Sequence, residues 1–89
     1  SWKLQILLSL KQGTKRFRQI AREIEGISDK MLSKELKDLE ANLLVKRTVY
    51  DAFPPVVEYE ITEYADSLQE VMLALKKWGR LHRKKIIGK

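Results

Sequence analysis

Between Ser28 and Leu43, leucines recur at 32, 36, 39 and 43, the spacing of a single helix face. On another face Lys30, Ser33, Lys34 and Lys37 recur at i, i+3, i+4 and i+7. The pattern predicts one helix over 28–43, with a leucine stripe for a core and a basic, hydroxyl-bearing stripe opposite it. Ser28 is placed to accept an early backbone N–H as the N-cap, Asp29 suits the positive end of the helix dipole, and Ile27 can staple onto Leu32. Upstream, Phe17, Ile20, Ala21 and Ile24 repeat at helical spacing and stop before Gly26. Gly26-Ile27-Ser28 then reads as a tight turn, and the two helices as a helix-turn-helix pair.

The flanks extend this unit. Trp2 to Lys11 reads as a helix, with Leu4, Ile6, Leu7, Leu8 and Leu10 covering most of its circumference; a helix apolar nearly all round is buried on several sides. Gly13 ends it, and Thr14 to Arg16 is a short connector or strand. Val45 to Asp51 is β-rich, Ala52-Phe53-Pro54-Pro55 breaks it, and Val57, Tyr59 and Ile61 alternate with Glu58 and Glu60, as in a half-buried strand. The prolines confine the connection to a loop tip or edge. A long last helix starts at Thr62 or Glu63, with Leu68, Val71, Met72, Leu75 and Trp78 as its apolar stripe. The predicted fold is α+β and mainly α: a single winged helix-turn-helix domain over 1–89, with a two- or three-stranded wing and a long C-terminal dimerisation helix. Helices 2–12 and 63–85 are expected to form the dimer interface through Trp2, Ile6, Leu10, Leu68, Met72, Leu75 and Trp78.

Charge changes this picture by its distribution. The net charge is +6. Residues 1–50 hold eleven Lys/Arg and six Asp/Glu, residues 51–75 six acids and no base, and residues 76–89 seven bases and no acid. Segregated basicity suggests one side that faces a polyanion and one that avoids it; the plainer alternative is solvated helix faces and a lysine-rich tail. With no cysteine in the sequence, disulfides and thiolate chemistry are excluded from it. The apolar runs are too short to span a bilayer, and no signal peptide is visible. No nucleophile–base pair, metal-ligand cluster or phosphate loop points to an enzyme, and no cofactor is expected.

Individual cations divide by context. Lys30, Lys34 and Lys37 could be a solvated face paired with Glu35 and Asp38, or could reach guanine edges and phosphates, with Ser33 as a hydroxyl contact. Met31, between the two faces, packs in the core or touches a thymine methyl. Lys15, Arg16 and Arg18 flank the start of the second helix, where cations oppose the dipole; a bound phosphate would account for them, and so would side chains turned to water. Lys46 and Arg47 point to opposite sheet faces, so one of the two faces DNA. His82, the single histidine, is read as a surface or interface residue.

From Gly26 onward the chain resembles the HxlR-type transcriptional regulators, a bacterial and archaeal winged-helix family. The likeness rests on Gly26-Ile27-Ser28, Lys30-Met31-Leu32-Ser33, Leu39-Glu40, Arg47-Thr48-Val49-Tyr50, Pro54-Pro55, Val57-Glu58-Tyr59 and Thr62, with Trp2-Lys3 and Arg16-Phe17 upstream. The resemblance implies a cytoplasmic, nucleoid-associated homodimer on a partly palindromic double-stranded DNA operator. The contacts would come from Arg16, Arg18, Ser28, Lys30, Ser33, Lys34, Lys37, Lys46 and Arg47. A winged helix used for protein interaction or RNA binding is the alternative. Three positions depart from the family pattern. Val56 stands where a cation usually follows the two prolines, Leu43 where a glycine usually follows the recognition helix, and Ala65 where a glycine usually lies near the start of the last helix. The turn at Leu43 is expected to use Asn42 as its left-handed residue. Many members carry a cysteine N-terminal to the position of Trp2; because the chain opens on Ser1, a preceding segment is expected.

Overall fold

A computed structural model describes residues 2–87, apart from the side chains of Gln69 and Met72. In chain order it holds α1 (Trp2–Lys11), α2 (Phe17–Glu23), α3 (Asp29–Ala41), β1 (Val45–Tyr50), β2 (Val56–Ile61) and α4 (Glu63–Ile87). The first three helices enclose one core. Ile6 and Leu10 of α1, Ile20 and the adjoining Ile24 of α2, Leu32, Leu36 and Leu39 of α3, and Val45 of β1 are all buried in it. Burying each such side chain contributes about 1.5–3 kcal/mol, so the leucine stripe of α3 anchors that helix and fixes which face is left to solvent. Trp2, Phe17, Ile27, Leu44, Tyr59 and Ile61 pack around the rim.

Each end of α3 has a local cause. Ser28 caps it, its Oγ accepting the Met31 N–H at 3.1 Å. The preceding turn requires Gly26, whose φ of +87° lies in the left-handed region. At the far end the Leu44 N–H bonds to the Leu39 carbonyl at 2.9 Å and the Leu43 N–H to the Glu40 carbonyl at 3.0 Å, the paired bonds of a Schellman stop. The left-handed residue in that stop is Leu43 itself, with φ 62°, whereas Asn42 has φ −94°. The expectation for Asn42 is therefore corrected. So is the place of Leu43 in the leucine stripe: a left-handed residue leaves the helix face, and Leu43 is 71% exposed.

β1 and β2 pair antiparallel from Val45↔Ile61 to Tyr50↔Val56. Lys15 adds a one-residue third strand, exchanging both backbone hydrogen bonds with Tyr59 at 2.9 and 2.8 Å. Val56 closes the ladder and residues 51–55 form the tip, where Phe53 is fully exposed. Thr62 joins the wing to the last helix. Its Oγ1 donates to the Leu43 carbonyl at 2.7 Å and accepts the Ala65 N–H at 3.1 Å, capping α4. Ala65 is buried, so its methyl fits where the family pattern has glycine. Beyond it α4 leaves the body: its 25 residues run about 37 Å, stretching the molecule to 60 × 27 × 21 Å.

The expectation for α1 changes with this packing. Ile6 and Leu10 are 0% and 1% exposed within the single chain. They belong to the protomer's own core and have no surface to give a second subunit; on α1, Leu4 and Leu8 are the exposed apolar side chains. On α4, Leu68, Val71, Leu75 and Trp78 are open to solvent, Trp78 stacks on His82 with ring centroids 4.9 Å apart, and the side chain of Met72 lies outside the described residues.

Candidate nucleic-acid interface

The polar face of α3 is decided by where its acids turn. Glu35 is buried and accepts a hydrogen bond from Lys3 Nζ of α1 at 2.9 Å, and Asp38 lies 3.5 Å from the same ammonium. The two carboxylates hold the Lys3 pKa above its ordinary value, the Glu35 hydrogen bond most of all. Glu35 and Asp38, the two acids expected to pair with the α3 lysines, therefore serve the α1–α3 contact instead. Lys30, Lys34 and Lys37 are exposed, and among the described residues none of them is in an ion pair.

Ser33 and Lys37 share a groove of about 320 Å³ with Leu36, Glu40, Arg47 and Tyr59. Arg47 and its ladder partner Tyr59 thus lie on the sheet face toward α3. Lys46 lies on the other face, 3.8 Å from Glu60. Of the two strand cations, Arg47 is the one beside α3, and Lys46 is set apart from the α3 lysines. Lys30, Ser33, Lys34, Lys37 and Arg47 form one basic face built from a helix and a strand. The Ser28 hydroxyl is spent on the N-cap as an acceptor.

The cluster before α2 comes apart. Lys15 is buried. Its Nζ donates to Glu23 Oε2 at 2.6 Å, to Gln12 Oε1 at 3.0 Å and to Ser9 Oγ at 3.1 Å, and Ser9 Oγ donates to Glu23 Oε2 at 2.6 Å. This network ties the end of α1 to α2 and to the wing; the Lys15 hydrogen bond, with help from Ser9, holds the Glu23 carboxyl below its ordinary range. Lys15 is a structural residue, its ammonium enclosed by Ser9, Gln12 and Glu23. Its one signal in the sequence is an acid eight residues downstream, Glu23. Arg18 is also engaged: its Nη1 and Nη2 donate to both carboxylate oxygens of Asp29 at 3.1 and 3.0 Å, its guanidinium lies 5.5 Å from the Phe17 ring centroid, and Asp29 is held below the ordinary aspartate range by that hydrogen bond. The pair pins the start of α2 to the start of α3. Arg16 remains exposed just before α2, with its backbone N–H donated to Gln19 Oε1 at 2.9 Å.

A three-helix core, a capped second helix of a helix-turn-helix pair and a hairpin behind it together define a winged helix-turn-helix protein. The chain belongs to the HxlR-like helix-turn-helix family, whose model matches residues 1–86. It is 40% identical over 87 residues to the HTH-type transcriptional regulator YtcD of Bacillus subtilis, covering 98% of this chain and 69% of that one. To an HTH-type transcriptional regulator of Methanothermobacter thermautotrophicus it is 41% identical over 81 residues, covering 91% and 62%. Among solved structures, diamide-treated YodB from B. subtilis superposes with a TM-score of 0.86 at 38% identity, over 91% of this chain and 80% of that one. A regulator of the MarR family from Enterococcus faecalis V583 gives 0.86 at 32% identity, over 100% and 81%. The relatives are transcriptional regulators by name, and the chain spans roughly two thirds of the length of the first two. Among the described residues no helix is long and apolar enough to cross a membrane.

Proposed function

We propose that this chain is the DNA-binding unit of a homodimeric transcriptional regulator that reads a partly palindromic operator in the cytoplasm. The observation that carries the reading is the diversion of Glu35 and Asp38 to Lys3, which leaves Lys30, Lys34 and Lys37 exposed on the outer face of α3, with Glu40 the one acid lining the Lys37 groove. In this reading α3 lies in the major groove. Ser33, Lys30 and Lys34 approach base edges, while Lys37, Arg47 and Arg16 contact phosphates. Ser28 contributes through its cap and Lys46 contributes little. The wing tip, which has Val56 after its prolines and Asp51 before them, adds no cation, so α3 bears more of the recognition.

The second subunit is proposed to cover the open stripe of α4, Leu68, Val71, Leu75 and Trp78, together with half-buried Trp2 and exposed Leu4 and Leu8 of α1. Two-fold symmetry would then set half-sites about 34–36 Å apart, or a multiple of that. A gel shift against the DNA upstream of the protein's own gene tests the reading. Wild-type protein is expected to retard it, with Lys34→Ala and Lys37→Ala each weakening the complex. No retardation by the wild type would favour a protein-interaction or RNA-binding module working through α4, and full retardation by both variants would take the DNA contact off these lysines.

A further inference from the structure

The Arg18–Asp29 pair, which the proposed contacts leave unused, bears on how tightly the face holds DNA. Asp29 is the first residue of α3, at the end of the helix that would enter the groove. Its two carboxylate oxygens occupy both Nη atoms of Arg18, the fork-to-fork geometry that fixes a guanidinium most firmly. The Phe17 ring flanks that guanidinium, and the positive end of α3 favours the Asp29 charge where it stands. A phosphate approaching Arg18 meets the carboxylate as well as the cation.

We infer that Asp29 attenuates DNA affinity by holding Arg18 back from the phosphate backbone, so that each protomer neutralises one phosphate fewer than its exposed cations suggest. The inference rests on the DNA-binding reading above and deepens it. It reverses the role that charge alone suggests for Arg18: in the intact protein this cation fastens α2 to α3, and it becomes a phosphate ligand only when Asp29 loses its charge.

Counterion release makes the claim measurable, because each phosphate contact on duplex DNA steepens the plot of log affinity against log salt by about 0.9. Fluorescence anisotropy on a labelled duplex of unrelated sequence, across a salt series, is expected to give Asp29→Asn a slope steeper by about 0.9 per protomer and tighter binding at low salt. Arg18→Ala alone is expected to keep the wild-type slope, and the double variant to return to it. Asp29→Glu, which keeps the charge, is expected to stay near wild type. A general loosening of the fold would lower affinity without steepening the slope, and melting curves of each variant record it separately. An Asp29→Asn slope equal to wild type overturns the inference, as does a shallower slope for Arg18→Ala, which would mean that Arg18 reaches phosphate while still paired. A wild-type protein with no salt-dependent binding at all overturns the DNA-binding reading itself.

Discussion

Lys3 Nζ lies 2.9 Å from Glu35 Oε2, joining α1 to the inner edge of α3. This contact sorts the charges of α3: Glu35 and Asp38 turn to Lys3, while Lys30, Lys34 and Lys37 face outward. Removing the ammonium by Lys3→Met leaves a buried carboxylate unpartnered, a costly state. The variant is expected to unfold at lower denaturant than wild type, and Glu35→Gln in the Lys3→Met background to recover part of the loss. Urea unfolding of the three proteins checks this; equal midpoints would mean that the pair contributes nothing.

Leu43 adopts φ 62° with its side chain mostly in water, so it bears the strain of a left-handed residue without compensation from burial. Leu43→Gly is expected to stabilise the domain by about 1 kcal/mol, raising Tm by about 4–8 °C at this size. Calorimetry reads it directly. A fall in Tm would show that the exposed leucine has a partner, such as the second subunit.

Acid should loosen the chain through two carboxylates. Glu23 and Asp29 titrate below their ordinary values of 4.5 and 3.8 because Lys15 and Arg18 hydrogen-bond their charged forms. Groups with a depressed native pKa contribute stability that is fully present above the ordinary value and is lost as pH falls through the native one. Stability is therefore expected to fall below about pH 4.5, and the fall to be shallower in Lys15→Met and in Arg18→Ala. Urea midpoints measured down the pH scale check the sign; a flat profile in the wild type would contradict it.

The α4 stripe gives a fourth test. Wild-type protein is expected to sediment at about twice its 10.4 kDa mass, and Leu75→Glu or Trp78→Glu to sediment as the monomer, because a charge placed in an apolar interface cannot be paired there. A monomeric wild type would remove the two-fold operator from the account.

Most of the fold was legible because its signals are local. The leucine period of α3 from Leu32 to Leu39, the Ser28 cap, the turn at Gly26 and the two strands either side of Pro54-Pro55 each depend on neighbours a few residues away, and all appear where the sequence places them. What was not legible depends on contacts between elements. Lys15, Arg16 and Arg18 look alike as a cluster of cations, yet only the packing of α1 and α3 against α2 sends Lys15 to Glu23 and Arg18 to Asp29. Ile6 and Leu10 read as partner-facing, and the depth of α1 in the protomer puts them in the core instead. Asn42 is the better left-handed residue by propensity, but the Schellman bonds fall one residue later and Leu43 has to adopt the conformation. On the basic face the α3 cations follow from spacing alone, whereas choosing Arg47 over Lys46 needed the wing's orientation against α3.

In the proposed complex α3 and Arg47 present cations to a DNA backbone. The most direct measurement is the affinity of wild-type protein for a duplex from its own upstream region across a salt series. With about six phosphates neutralised per dimer, the slope of log affinity against log salt is expected to be about −5. A slope near zero would contradict the account.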